Sequence, residues 1–194
     1  EEGRHFVATE LVEGETLASL VEREGRLPGD RALDLLRQVT AGLVAVHGAG
    51  FLHGGLQPPN ILLTPSGAAK LTGFGLARPI EERGKPQATQ ALLEELLYFP
   101  PEATRGKRLD ERSDLYLLGA TFYHAVAGRP PFEGATAEER ALQYARKDPE
   151  PLIRLLPGAP VNLSLVLQKL LRRKPEDRYQ SAAELFRSRA EVWT

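Results

Sequence analysis

The side chains that could do chemistry in this sequence are few. His5, His47, His53 and His124 are its four imidazoles, and none stands in an H-E-x-x-H or similar spacing that would hold a catalytic zinc. Cysteine is absent, which removes thiolate nucleophiles, thiolate metal sites and disulfides together. No serine occupies a G-x-S-x-G elbow. The acidic pairs Glu81-Glu82 and Glu138-Glu139 fall in polar stretches and read as solvated faces rather than as a general acid with its base. What remains is residues 53–76, HGGLQPPNILLTPSGAAKLTGFGL, where His53 and Asn60 stand among glycines at 54, 55, 73 and 75. Phosphoryl transfer needs one carboxylate to orient and deprotonate the acceptor hydroxyl and another to hold the metal that neutralises charge on the phosphates. This stretch contains no carboxylate.

The stretch resembles the catalytic loop and metal-binding turn of protein kinases, H-R-D-L-x-x-x-N followed by D-F-G. His53, Leu56 and Asn60 match that pattern, as do Phe74 and Gly75. Where the family has Arg and the base Asp, this chain has Gly54 and Gly55; where it has the metal-holding Asp, this chain has Gly73. Gln57 replaces the lysine that faces the transferred phosphate, and Glu94-Glu95 replaces a Gly-Thr pair. Further anchors follow in the family's order: Pro100, Pro101 and Glu102 in place of A-P-E, Asp114, and Arg178 in PEDRY. The likeness is to the large, C-terminal lobe of eukaryotic-like Ser/Thr kinases of the bacterial style and runs from Arg4 to about Arg189.

That resemblance implies roles. Asp114 would accept backbone N–H bonds from the catalytic loop, Glu102 and Arg178 would form a buried ion pair, and His53 and Phe74 would belong to a stacked hydrophobic spine. Thr9, Glu10, Leu11 and Val12 would be a vestigial hinge, with Thr9 as gatekeeper. Asn60 could ligate a metal, although a lone amide binds Mg²⁺ weakly; the other reading is that it hydrogen-bonds the loop. None of the lysines at 70, 85, 107, 147, 169 and 174 lies ahead of the hinge, and no G-x-G-x-x-G occurs. The phosphate-covering loop and its ATP-pairing lysine are therefore expected to be missing from this chain.

The elements that must position these residues can be read from periodicity. Arg4 to Leu11 suits a strand, and Val12 to Gly14 breaks it. Thr16 to Glu24 reads as a short helix and Pro28 to His47 as a long one, with Leu33, Leu36, Val39, Leu43 and Val46 at helical spacing. Asn60 to Leu63 and Ala68 to Leu71, separated by Pro65, Ser66 and Gly67, predict a hairpin with the two halves of the degenerate site at its ends. Arg112 to Val126 is expected as a buried central helix ended by Gly128 and the prolines at 130 and 131. Ala135 to Arg146, Leu163 to Leu171 and Ser181 to Trp193 supply three more helices, the last opened by a capping box of Ser181 and Glu184. The fold class is mainly α within an α+β family: a kinase-like large lobe over 15–194 with a small hairpin at the cleft, and the last small-lobe strand and hinge over 1–14.

Composition sets the bounds. With 42% hydrophobic and 26% charged residues the chain is a globular domain with one core. A formal net charge of -1 leaves no footprint for nucleic acid, and Arg172, Arg173 and Lys174 read as a solvated helix end. The longest apolar run, Leu115 to Ala127, falls well short of the ~18 residues that span a bilayer. A cytoplasmic setting fits the lack of cysteine, and a chain that begins at Glu1 and has no methionine is expected to be part of something longer.

The functional expectation is a pseudokinase, a kinase-shaped scaffold that binds or regulates a protein partner, with ATP and Mg²⁺ not expected as cofactors. Two alternatives remain: an ATP-binding or weakly active kinase whose small lobe lies outside this chain, and, more remotely, a small-molecule phosphotransferase, since such enzymes often read H-G-D in this loop. In residues 89–99, TQALLEELLYF, Leu92, Leu93, Leu96 and Leu97 form a helical pattern. They could fold over the cleft, offer a face to a partner or a second copy, or pack on the lobe's own helices.

Overall fold

The computed structural model describes residues 10–80, 98–188 and 193. The expected hinge residue Thr9, the leucines at 92, 93, 96 and 97 and Glu94-Glu95 lie outside them, as does the strand expected over Arg4 to Leu11 except for Glu10 and Leu11, which are not in a strand.

Helix α1, Leu17–Glu24, starts at Thr16, whose Oγ1 accepts the Ser19 N–H at 3.0 Å and so satisfies one orphan donor of the first turn. It buries Leu17, Leu20 and Val21. Helix α2, Gly29–Gly48, buries Leu33, Leu36, Val39 and Leu43, the stripe its period predicts, while Val46 is only half-buried. Pro28 sits at its cap rather than within the first turn, and its carbonyl accepts the Ala32 N–H.

The hairpin forms as expected, from β3, Ile61–Leu63, and β4, Ala69–Leu71, with Ile61 opposite Leu71 and Leu63 opposite Ala69. Two short strands complete the β structure. Strand β1, Glu15–Thr16, adds to the free edge of β3, and β2, Phe51–Leu52, pairs with β5, Arg78–Pro79. Gln38 on α2 clamps the hairpin: its side chain accepts the Ala69 N–H at 2.8 Å and donates to the Gly67 carbonyl at 3.2 Å.

Helix α3, Glu111–Ala127, is the central one, buried along nearly its whole length from Ser113 to Val126. Such a helix carries no amphipathic signal because every face meets protein. Asp110 opens it, accepting the Arg112 N–H at 2.9 Å, while the Ser113 hydroxyl accepts the Asp110 N–H at 3.2 Å. Around α3 lie α4, Ala137–Arg146; α5, Leu152–Leu155; and α6, Val161–Leu170. The last described helix, α7, Ala182–Phe186, is shorter than the sequence predicts, its backbone turning off at Arg187 and Ser188. Its cap differs from the predicted box in one bond. Ser181 accepts the Glu184 N–H, but the Glu184 carboxylate reaches the N–H of Gln180 instead of that of Ser181.

This is the large lobe of a kinase-like fold, mainly helical with little β structure. No helix among the described residues is long and apolar enough to cross a membrane.

Candidate functional site

The loop after β2 hangs from a single buried carboxylate. Asp114, in the first turn of α3, accepts the His53 N–H on Oδ2 and the Gly54 N–H on Oδ1, both at 2.8 Å, and its Oδ2 also meets His47 Nε2 at 2.9 Å. A carboxylate in this position is further favoured by the unsatisfied N–H groups of the helix start. Two consecutive N–H donors on two oxygens fix the direction in which the chain leaves β2.

His53 then joins the loop to the turn after β4. The Gly55 N–H points at Nδ1 from 3.3 Å, which leaves the proton on Nε2, and Nε2–H donates to the Thr72 carbonyl at 2.9 Å. The imidazole is fully buried, and that burial, only partly offset by the Asp114 charge and the Thr72 carbonyl, lowers its pKa from the ordinary value. It stays neutral and acts as a bridge. Its ring lies 4.9 Å from that of Phe74. Phe74 completes only part of the expected spine, since it is 46% exposed.

At Gly73 and Gly55, the positions where the resemblance expects carboxylates, this chain's own side chains stand close by, tightly at Gly73 and more loosely at Gly55. Gly73 has φ 77°, in the left-handed region, and a Cβ there would lie 2.3 Å from Asn60 Cγ and 2.4 Å from Asn60 Oδ1. Asn60 is held in place by its Nδ2, which donates to the Gly55 carbonyl at 2.7 Å. A Cβ on Gly55 would meet Leu76 Cδ1 at 3.2 Å, and one on Gly54, also left-handed with φ 73°, would fall 2.8 Å from the Leu76 carbonyl oxygen. Gln57 is half-buried at the turn into the Pro58–Asn60 segment. The donor set for a Mg²⁺ ion is thus one amide whose nitrogen is already engaged, against the several oxygen ligands such an ion requires. These residues do not fit the metal. Among the described residues no cluster of three or more histidines and carboxylates suits one elsewhere.

At the mouth of the cleft, Glu10 pairs with Lys70 of β4 at 2.5 Å. Leu11 is exposed and Val12 half-buried. An exposed pair of this kind contributes little stability.

Glu102 and Arg178 come together in the core. Arg178 Nη1 and Nη2 donate to Glu102 Oε1 and Oε2, each at 2.8 Å, in a two-pronged contact that is buried on both sides. The remaining donors reach the carbonyls of Arg172, Arg112 and Arg173 at 2.7, 2.9 and 3.1 Å, so all five guanidinium N–H groups are used. Ser113 adds a hydroxyl to Glu102 Oε1 at 2.8 Å, and the guanidinium lies over the Tyr116 ring, 4.7 Å from its centre. Sequence reasoning did not single out His47, Leu76, Lys70, Thr72 or Ser113 for these contacts. Thr72 acts through its backbone, and the others carry no local motif.

Comparison with known proteins follows the same frame. The family described as protein kinase domain matches residues 1–189. Serine/threonine-protein kinase PknB of Mycobacterium leprae is 35% identical over 180 residues, covering 93% of this chain and 29% of that protein. PknB of Mycobacterium tuberculosis shows the same identity over 181 residues with the same coverage. A probable serine/threonine-protein kinase PknB of Corynebacterium glutamicum is also 35% identical, over 185 residues. The chain spans less than a third of the length of these relatives.

Proposed function

This chain belongs to the protein kinase family, on its bacterial-type Ser/Thr side, and from that premise we propose that it is a pseudokinase: a catalytically inactive domain that binds a protein partner in the cytoplasm as a regulator or scaffold. The observation that carries the reading is the site after β2 and β4. There Gly55 and Gly73 stand where the family's pattern has its base and metal ligand, with Asn60 filling the space in front of Gly73 and Leu76 in close contact at Gly55. A general base alone contributes about 10²–10⁴-fold to rate, and no other carboxylate in residues 53–76 could replace it. Meanwhile the bonds that hold the loop, through Asp114, and the end of the following segment, through Glu102 and Arg178, are all made. A frame kept in order around a site without its reactive groups suits recognition by shape.

The second reading is an ATP-binding or weakly active kinase completed by a small lobe. It is favoured by the 35% identity to proteins named as serine/threonine kinases. Thermal shift with ATP, with and without Mg²⁺, separates the two. The pseudokinase reading expects no Mg²⁺-dependent rise in melting temperature. A rise that requires Mg²⁺ and vanishes in Asn60→Ala would favour the second.

A further inference from the structure

A trough of about 720 Å³ lies between α5 and α6. Three of its lining residues are large aliphatics left in water: Ile153 on α5 is 42% exposed, and Val161 and Leu165 on α6 are 66% and 58% exposed. Val161 and Leu165 are four residues apart on one helix, so they stand on the same face, one turn above the other. Single exposed apolar residues need no explanation, whereas these three line one trough together. The Oγ of Ser164, between them, is buried and has no hydrogen-bond partner among the described residues.

Charge says what kind of partner fits. The trough's two carboxylates are already compensated, Asp148 by Arg173 at 2.9 Å and Glu150 by Arg129 at 3.2 Å. Its two arginines, Arg154 and Arg172, are exposed, and neither has an ion-pair partner among the described residues. The surface therefore offers aliphatic contact and two exposed guanidinium groups without an ion-pair partner among the described residues.

We propose that this trough docks a peptide segment of a partner protein that combines an aliphatic side chain with Asp or Glu. The aliphatic group packs against Ile153, Val161 and Leu165. The carboxylate is taken by Arg154 or Arg172, whose planar fork suits it. The proposal rests on the reading of the domain as a protein-binding module and names the surface and the chemistry of what binds.

The test is selection of random dodecapeptides displayed on phage against the whole chain, followed by fluorescence-polarisation titration of the selected sequences. The expected winners carry at least one aliphatic residue and one carboxylate. Their affinity should fall at least about tenfold in Leu165→Ser and again in the double variant Arg154→Glu, Arg172→Glu, and should weaken as salt rises. Because Leu165 is exposed, its replacement should leave the melting temperature unchanged; if it does not, Val161→Ser carries the same test. Selection of no binder, of peptides without carboxylates, or of peptides indifferent to these variants would overturn the proposal. So would a parent chain that dimerises by light scattering and becomes monomeric in Leu165→Ser, because the occupant would then be a second copy. Phosphate transfer by the parent would overturn the inactive reading without moving the peptide titrations, so the two failures are distinguishable.

Discussion

Gly73 is held by packing: no side chain other than glycine's hydrogen fits where it stands. Its left-handed backbone and the Asn60 side chain, 2.3 Å from where a Cβ would sit, leave no room for any other residue unless Asn60 moves and gives up its bond to Gly55. Gly73→Ala is therefore expected to cost about 1–3 kcal/mol in a urea melt. The cost should be smaller in an Asn60→Ala background, where the clash is gone and only backbone strain remains. Equal losses in the two backgrounds would mean that Asn60 does not occupy that space. That positions 55 and 73 carry no carboxylate was legible from the sequence, since a glycine has no side chain in any fold. Which side chains stand against them was not, because Leu76 and Asn60 meet those positions through a hairpin whose register no local pattern encodes.

At the scale of elements, Arg178 ties the Pro100–Gly106 segment, the start of α3 and the Arg172–Lys174 turn into one unit. Arg178→Ala is expected to destabilise the fold by about 3–5 kcal/mol, because it strands the Glu102 carboxylate away from water. Arg178→Lys should recover little of this, since an ammonium keeps the charge but cannot reach both carboxylate oxygens and three carbonyls. A denaturant midpoint unchanged in Arg178→Ala would show that the pair is not needed. Period-based reading found α2, α3 and the hairpin, whose stripes and turn residues are strong. It missed β1, β2, β5 and α5 because elements of two to four residues contain no period to detect. It overextended α7 because the apolar spacing continues past Phe186 while the described helix ends there.

For the whole molecule, one buried and one half-buried imidazole bear on stability in acid. Burial lowers the pKa of both His53 and His124, the latter while the Tyr98 hydroxyl donates to its Nδ1 at 2.8 Å. In the unfolded chain both return to about 6.5, so below that pH the unfolded state binds more protons and stability falls as pH falls. The urea midpoint is expected to be lower at about pH 5.5 than at about pH 7.5, and the slope should flatten in a His53→Asn, His124→Gln variant. A midpoint that held or rose in acid would contradict the neutral, bridging role given to His53. The family and the large-lobe fold could be read from the order of a few anchors; the trough between α5 and α6 could not, because its lining comes from α3, α6 and the loop between α4 and α6. A pseudokinase keeps the kinase frame without the reaction, which transfer of labelled γ-phosphate from ATP, with Mg²⁺ or Mn²⁺, to the chain itself and to a generic protein substrate would reveal, run both on this chain and on any longer product of its gene. No incorporation above a heat-unfolded control is expected, and none after Gly55→Asp and Gly73→Asp are introduced into this chain. Incorporation that survives Asn60→Ala and disappears on unfolding would contradict that reading.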